Sequence, residues 1–505
     1  MNFFSFLKKD SVVMNHEGAV SYRQSAEMEL YTAVVTCAME DLFYEGSFER
    51  VRRIAELVPQ VNPVFVAKLA VYARREMHLR SIPLVLLVEL AKIHNGDDLV
   101  ARAVKGSILR ADEIAELLMC YQWLNPSFGP KKLSGLSRGI QNGLKEAFNR
   151  FDEYQFAKYD RDGAVKLRDA LFLVHPKAKD EAQQKIFDKI ASGSLETPYT
   201  WETELSAVGQ KEFKDSHEKD AAFRAKWEEL IDSGKLGYMA LLRNLRNILM
   251  AGVDLEHIKK VCGVLANPSL VLNSRQFPFR FLSAFKEVMS LPSVHTERVL
   301  KALEAAVKVS AANIEGFDEN TSVLIASDVS GSMYTPVSKK SSVMIYEIGL
   351  MMSMLLKSRC GCAITGIFGD VWKVKNLPAD EILTKTITLT KMANEVGFST
   401  NGHLVIDYLI HHGLMVDKVL MFTDCQMWDS NDDSAHIRDS WLRYRKMNPK
   451  ASLYLFDLAG YGQSPLSLKG DGVYLIAGWS EKVFSILDAV EHGSDALKEI
   501  KKIQL

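Results

Sequence analysis

Asp328, Ser330 and Ser332 stand at alternate positions in "SDVSGSMYTPV" (327–337), directly after the apolar run Val323–Ala326. That spacing sets one carboxylate and two hydroxyls on one side of a tight loop, with Gly331 easing the bend. Such oxygens suit a hard divalent cation, Mg²⁺ or another, that keeps several of its waters. A metal needs further oxygens. "GFSTNGHL" offers Thr400, with Ser399 beside it, in a loop before a predicted helix. "LMFTDCQMW" offers Asp424 at the end of a predicted strand. Three strand-end loops can then converge with two carboxylates and three hydroxyls. Two other readings exist. Asp328 could cap the following helix while the serines satisfy backbone groups. A serine nucleophile lacks a histidine placed to pair with Ser330 or Ser332, and lacks a Gly-x-Ser-x-Gly elbow.

Strand ends of this kind require a parallel sheet. "SVLIASD", "CAITGIFG", "KVLMFTD", "SLYLFDLAG" and "GVYLIAG" are short, rich in Val, Ile, Leu and Phe, and separated by helical stretches. The alternation predicts a doubly wound, Rossmann-like α/β domain over 323–505. Ligands of such folds sit at the carboxyl ends of the strands, where "SDVSGSM" lies. "AANIEGFDENTS" (311–322) is polar, contains glycine and reads as a linker.

Residues 1–310 follow a helical grammar. In "NPVFVAKLAVYARRE", Asn62 caps, Pro63 suits the first helical position, and Val64, Ala67 and Val71 share a face. "IPLVLLVELAKIH" is almost wholly apolar, hence buried, and stops at Asn95–Gly96. Further helices are predicted over 99–108, 111–123, 165–174, 237–250, 254–264, 275–289 and 295–309. Helix pairs joined by short turns suggest a HEAT-like α-solenoid, although no strict period repeats. The stretch 180–235 is charged and poorly patterned, and no element is assigned to it.

The 505 residues are 47% hydrophobic and 25% charged, with a net charge of −1, which fits a globular protein without a global pull toward nucleic acid or membrane. Residues 321–505 carry 19 Lys+Arg and 20 Asp+Glu, so neither half is strongly basic and any RNA surface must be a local patch. One such patch runs from Lys131 to Lys179, with 11 Lys+Arg against 6 Asp+Glu. It includes Lys131, Lys132, Arg138, Lys145, Arg150, Lys158, Arg161, Lys166, Arg168, Lys177 and Lys179. Phosphate contacts need such a cluster, and Tyr159 and His175 could add stacking or hydrogen bonds to unpaired bases. Its plain alternative is a solvated helix face. Arg243 and Arg246, three apart, share a helix face and could line a surface together. His411 and His412 are placed on or at the end of a helix, and the tryptophans are read as packing residues.

Six cysteines in mostly apolar settings read as reduced, buried thiols rather than a disulfide framework. "MNFFSFLKKD" places apolar residues before lysines, the reverse of a secretory signal, and no apolar run approaches the ~20 residues of a membrane span. A cytoplasmic protein is expected.

The set Asp328, Ser330, Ser332, Thr400 and Asp424 resembles the metal-ion-dependent adhesion site of von Willebrand factor A domains: Asp-x-Ser-x-Ser, then Thr, then Asp. That family has Gly-Gly-Thr where this chain has Phe398-Ser399-Thr400. In it the ion keeps an open position that a partner's carboxylate completes. The phrases "LAVYARREMHLRSIPLVLLVEL", "ALLRNLRN" and "SRQFPFRFLSA" resemble the TROVE-domain family, the Ro (SS-A) autoantigen RNA-binding proteins and their bacterial orthologues. Those proteins also end in an A domain, so the resemblance spans the chain. It implies a monomeric ring of HEAT-like helices closed by the A domain. It implies small structured Y-type RNAs on the outer basic surface, and 3′ ends of defective or precursor RNAs in the central hole. It implies a non-catalytic role in RNA quality control, decay or ribosomal RNA maturation, with an exoribonuclease partner such as polynucleotide phosphorylase. The family's RNA-contacting stretch matches Lys158-Tyr159 and His175 in spacing, while Asp162 replaces a basic residue next to Arg161. Without an RNA role, the chain would read as a metal-dependent protein-interaction scaffold.

Overall fold

The computed structural model describes residues 12–15, 20–36, 47–125, 135–160, 163–310, 320–338, 341–427, 437–461, 463–467, 472–478 and 496–505. The chain forms two compact units. One comprises residues 1–53, 277–283 and 307–499, the other residues 54–276, 284–306 and 500–505. This differs from the contiguous division at 310 and 323 expected above. Most of the linker assigned to 311–322 lies outside the described residues.

In the first unit a six-stranded sheet has the order β5-β4-β3-β6-β7-β9. Its parallel strands are β3 (Ser322–Asp328), β4 (Cys362–Phe368), β6 (Lys418–Thr423), β7 (Ser452–Asp457) and β9 (Val473–Ala477). These are the five runs picked from the sequence. The short β5 (Trp372–Val374) adds an antiparallel edge. On one face Leu324, Ala326, Val419, Met421, Leu453 and Leu455 pack with Val405, Ile406, Leu409, Trp441 and Tyr444 of the His403–His411 and Ile437–Met447 helices. The Ile345–Lys357 helix, buried along almost all its length, packs against β3, β4 and β6.

The N-terminal segment belongs to this unit because its hydrogen bonds lead there. Strand β1 (Val12–Met14) pairs with β2 (Val20–Arg23), and β2 pairs with β8 (Gln463–Ser464) through Tyr22↔Ser464 and Arg23↔Gln463. The Asn15 amide donates to Met427 O at 3.0 Å and the Tyr31 hydroxyl to Ala477 O at 3.3 Å. The buried Arg50 guanidinium donates to Thr36 Oγ1 at 3.0 Å and to Ala459 O. Gly460 closes this junction with φ +69°. A Cβ there would lie 1.9 Å from Thr36 Oγ1, so no other residue fits without displacing the N-terminal helix.

The second unit is helical. The Pro63–Arg75, Leu99–Ser107, Arg138–Phe148 and Leu167–Val174 helices pack in succession, each against the next but one in the chain. The Ser81–Ile93 and Asp112–Leu124 helices form a second layer in the same way. That layering is the α-solenoid expected. Gly139 and Gly143 permit one of the closest approaches: a Cβ on either would lie 2.6 or 2.5 Å from the Cβ of Val100 or Val104. The unassigned stretch 180–235 folds into the Glu181–Ser192, Trp201–Gly209 and Ser216–Asp232 helices. Each opens on a side-chain cap: Asp180 accepts from Gln183 N, Thr200 from Thr203 N and Asp215 from Glu218 N.

No helix among the described residues is long and apolar enough to cross a membrane. Cys120, Cys262, Cys362 and Cys425 are free thiols; of the five described cysteines only Cys425 is buried, and Cys362 is exposed where β4 begins. Cys37 and the residues 1–10 read for a signal lie outside the described residues.

Candidate metal centre and nucleic-acid interface

Parallel pairing brings the carboxyl ends of β3, β6 and β7 to one edge of the sheet, and the predicted metal ligands collect there. Asp328 ends β3, and Asp424 directly follows β6. Asp328, Ser330, Ser332, Thr400 and Asp424 are all buried. Asp328 Oδ1 accepts the Ser330 N–H at 2.9 Å, and Ser330 Oγ lies 3.4 Å from Ser332 Oγ. The Thr loop is drawn in by its backbone: Gly331 N donates to Phe398 O at 2.9 Å. Asp370 fixes that loop from below, its Oδ1 accepting Ser399 N at 2.8 Å and its carbonyl the Asn401 amide at 3.0 Å. Ser399 is thereby turned to Asp370, and Thr400 is the buried hydroxyl.

The electrostatics fit a cation. Burial, and then the neighbouring charge of Asp424, push the Asp328 carboxyl well above the usual carboxylate range, against hydrogen bonds from Ser330 and Thr423. Thr423 Oγ1 donates to Asp328 Oδ2 at 2.7 Å. Burial also holds the Cys425 thiol up, helped by the charges of Asp457, Asp424 and Asp328. Two buried carboxylates among hydroxyls form a hard-oxygen donor set that a divalent ion would neutralise. Thr423 and Asp457 were not singled out in the sequence. Asp457 ends β7 opposite Thr423. Its Oδ1 accepts the backbone N–H groups of Ala459 and Gly460, and burial raises its carboxyl to about 7.

In the helical unit a cleft of about 1030 Å³ opens among the Glu153–Tyr159, Trp201–Gly209, Tyr238–Met250 and Pro268–Ser274 helices. Tyr154, Tyr159, Tyr199, Trp201 and Tyr238 line it, with Arg110, Lys158, Lys235 and Arg243. Cations and rings interleave: the Arg110 guanidinium lies 4.2 Å from the Tyr159 ring centre, Lys158 Nζ 5.7 Å from that of Tyr154, and Lys235 Nζ 5.0 Å from that of Tyr199. Hydroxyls anchor the rings. Tyr154 donates to Tyr199 O at 3.3 Å and Tyr238 to Leu265 O at 2.8 Å.

The TROVE domain family matches residues 45–223 and 193–315, more than half of the chain. The chain belongs to the TROVE family. The cleft lies wholly within the TROVE-matched residues. Telomerase protein component 1 of Rattus norvegicus is 25% identical over 312 residues, 46% of this chain and 11% of that protein. Its Mus musculus counterpart is 24% identical over 350 residues, 53% of this chain and 13% of that protein. The chain thus spans only a small part of these relatives. The crystal structure of the Deinococcus radiodurans Ro (RSR) protein matches 93% of this chain and all of that one, with a TM-score of 0.60 at 19% identity. That likeness is one of fold, and it extends beyond the TROVE region into the α/β unit.

Within the TROVE region the predicted RNA residues separate. Lys158, Tyr159 and Arg243 line the cleft. Arg246 does not; its guanidinium pairs with Glu287 at 3.4 Å instead. Arg138, Lys166, Arg168 and His175 are exposed outside the cleft, His175 in the left-handed conformation (φ 49°) that ends the Leu167–Val174 helix. Arg150, counted with the basic patch, donates to the carbonyls of Lys105 and Ile108, and Lys179 to that of Asn149. Those two cations close helix ends. Lys131, Lys132 and Arg161 lie outside the described residues, as do Trp428, Trp479 and the acidic Asp429, Asp432 and Asp433. Trp201, read as a packing residue, stacks on the buried Trp227 with ring centres 6.4 Å apart and also lines the cleft. Arg110, Tyr154, Tyr199, Lys235 and Tyr238 were missed, because no two neighbours among them form a motif.

Proposed function

We propose that this TROVE-family chain is a non-catalytic, Ro-like RNA-binding protein. The interleaved aromatic and basic cleft carries the reading. Rings accept unpaired bases by stacking, and the cations between them meet phosphates. The strand bound there would be the 3′ end of a defective or precursor RNA. Small structured Y-type RNAs would bind exposed cations such as Arg138, Lys166 and Arg168 together with His175. A role in RNA quality control, decay or ribosomal RNA maturation in the cytoplasm follows, with an exoribonuclease such as polynucleotide phosphorylase acting on the RNA presented. A monomeric state belongs to the same proposal.

Asp328, Ser330, Ser332, Thr400 and Asp424 would hold Mg²⁺ or a similar ion, which supplies charge and an open coordination position for a partner's carboxylate. One observation favours a protein as that partner. Phe398 is 57% exposed beside the site and meets Tyr334 edge-on at 5.7 Å, which gives apolar side chains next to a partner's carboxylate a ring to pack on. Taken alone, this supports the scaffold reading.

Sequencing the RNA that copurifies with the protein, and titrating its binding across salt, tests the proposal. A few enriched structured RNAs with steep salt dependence are expected. RNA-free protein without affinity for tailed RNAs would leave the Mg²⁺-dependent scaffold.

A further inference from the structure

A second cavity, of about 180 Å³, lies beside the cleft and shares Tyr159 and Asp160 with it. Its volume is several times the ~30 Å³ share of one liquid water. It suits one planar heterocycle and is too small for the attached sugar and phosphate as well. Phe156, Met119 and Val165 give it apolar walls, and Arg80, Asp112 and Glu116 a polar one.

The three carboxylates of this neighbourhood differ in what they have left to offer. Glu113, fully buried, accepts from Leu109 N and Arg110 N through Oε2 and pairs with Arg74 through Oε1 at 2.8 Å. Asp112 is shared by two arginines, taking Arg80 at 2.8 Å and both Nε and a terminal nitrogen of Arg110 at 3.1 and 2.9 Å. Glu116 takes a single Arg80 nitrogen, at 2.9 and 3.0 Å from its two oxygens. A carboxylate has about four acceptor positions. Glu116 therefore keeps a lone pair on each oxygen, and its side chain is 33% exposed.

We propose that this cavity accepts one unpaired base turned out of a strand held in the cleft, and that Glu116 selects a base with a donor edge, guanine foremost. Guanine presents N1–H and the N2 amino group side by side, so both can converge on one outward-facing Glu116 oxygen. Uracil presents one imino N–H between two carbonyls, which a carboxylate repels. One Arg80 nitrogen bridges both Glu116 oxygens and holds the carboxylate in place, and Tyr159, with Arg110 over its ring, stands between cavity and cleft. The inference rests on the RNA reading above.

The test uses the full chain and short labelled uridine oligonucleotides carrying one guanosine, adenosine or cytidine, read by fluorescence anisotropy. The guanosine oligonucleotide is expected to bind about tenfold tighter than all-uridine, as two charge-assisted hydrogen bonds allow. Glu116→Gln should erase that preference while all-uridine binding stays within about twofold, since no phosphate contact changes. Met119→Phe, which fills the cavity without touching a charge, should do the same, and thermal melts confirm that both variants fold. Lys158→Ala should weaken all oligonucleotides alike. Equal binding of guanosine and all-uridine strands by the wild type overturns the pocket and leaves the RNA reading intact. A preference that survives both variants also overturns it. Absence of binding to every oligonucleotide removes the RNA reading itself, and the pocket with it.

Discussion

The oxygen-rich site at the sheet edge and the aromatic cleft of the helical unit are built in opposite ways. At the sheet edge one strand and its loop supply three donors within five residues, and the backbone brings in the other two. Every donor there is buried, and two like charges are held together at a cost that a cation would relieve. In the cleft the residues come from positions between 110 and 276, most are partly exposed, and no charge is buried without an aromatic or polar neighbour. The first arrangement has the donor chemistry that the proposed small, hard ion would need. The second has the shape and chemistry for a flexible anionic chain, and its energy is spread over many weak contacts.

That contrast can be broken experimentally. The largest effect is expected from Lys158, Lys235 and Arg243 changed together to alanine: RNA affinity should collapse, and the slope of log K against log salt should fall by about 2, at ~0.7 per phosphate. Tyr154→Ala or Tyr199→Ala should cost ~1–3 kcal/mol in RNA binding without changing the salt slope, because stacking is not ionic. If these variants instead abolish a Mg²⁺ effect on melting, the two sites are not independent. Mg²⁺ should raise the melting temperature of the wild type by a few degrees, as RT ln(1 + [L]/Kd) requires. Asp424→Asn should remove that rise and leave RNA binding unchanged.

Asp457 sharpens the picture on the sheet side. Its carboxyl is held at about 7 against an ordinary 3.8, first by burial. The folded chain thus binds this proton more tightly than the unfolded chain. Its contribution to stability is fully present below about 4 and is lost as pH rises toward about 7. Asp457→Asn should therefore gain in melting temperature relative to the wild type as pH goes from about 4 to about 8. The smallest effect is expected from Arg150→Ala, which should destabilise by ~1 kcal/mol through two lost carbonyl hydrogen bonds. RNA affinity should not change, since this cation closes a helix end.

The same contrast explains what could be read in the sequence. Asp328 to Ser332 form a contiguous motif after an apolar run, so their place at a strand end was legible, as were the five parallel strands. The Pro63–Arg75, Ser81–Ile93, Leu99–Ser107, Asp112–Leu124 and Leu167–Val174 helices were legible from their apolar periodicity, whereas Arg138–Phe148 and Glu153–Tyr159 between them were not assigned. The three helices between 181 and 232 were not, because few of their residues are buried and little periodicity remains. Their caps at Asp180, Thr200 and Asp215 were the available signal. Of the basic patch, composition could not separate Lys158, which lines the cleft, from Arg150, which binds carbonyls. Nor could it find Lys235 or Tyr238, whose roles come from a cleft that only tertiary packing creates. The N-terminal strands went unseen because their partner β8 lies more than 400 residues further on.

That last pairing sets a schedule for biosynthesis. Arg50 finds Ala459 across 409 residues of chain. At ~5–20 residues per second, the N-terminal strands leave the ribosome well before their partners exist. The helical unit, built from near neighbours, can form meanwhile. The α/β unit that carries the oxygen-rich site cannot be completed until the chain has been made as far as Ala477, so its first segment must wait as an unpaired edge.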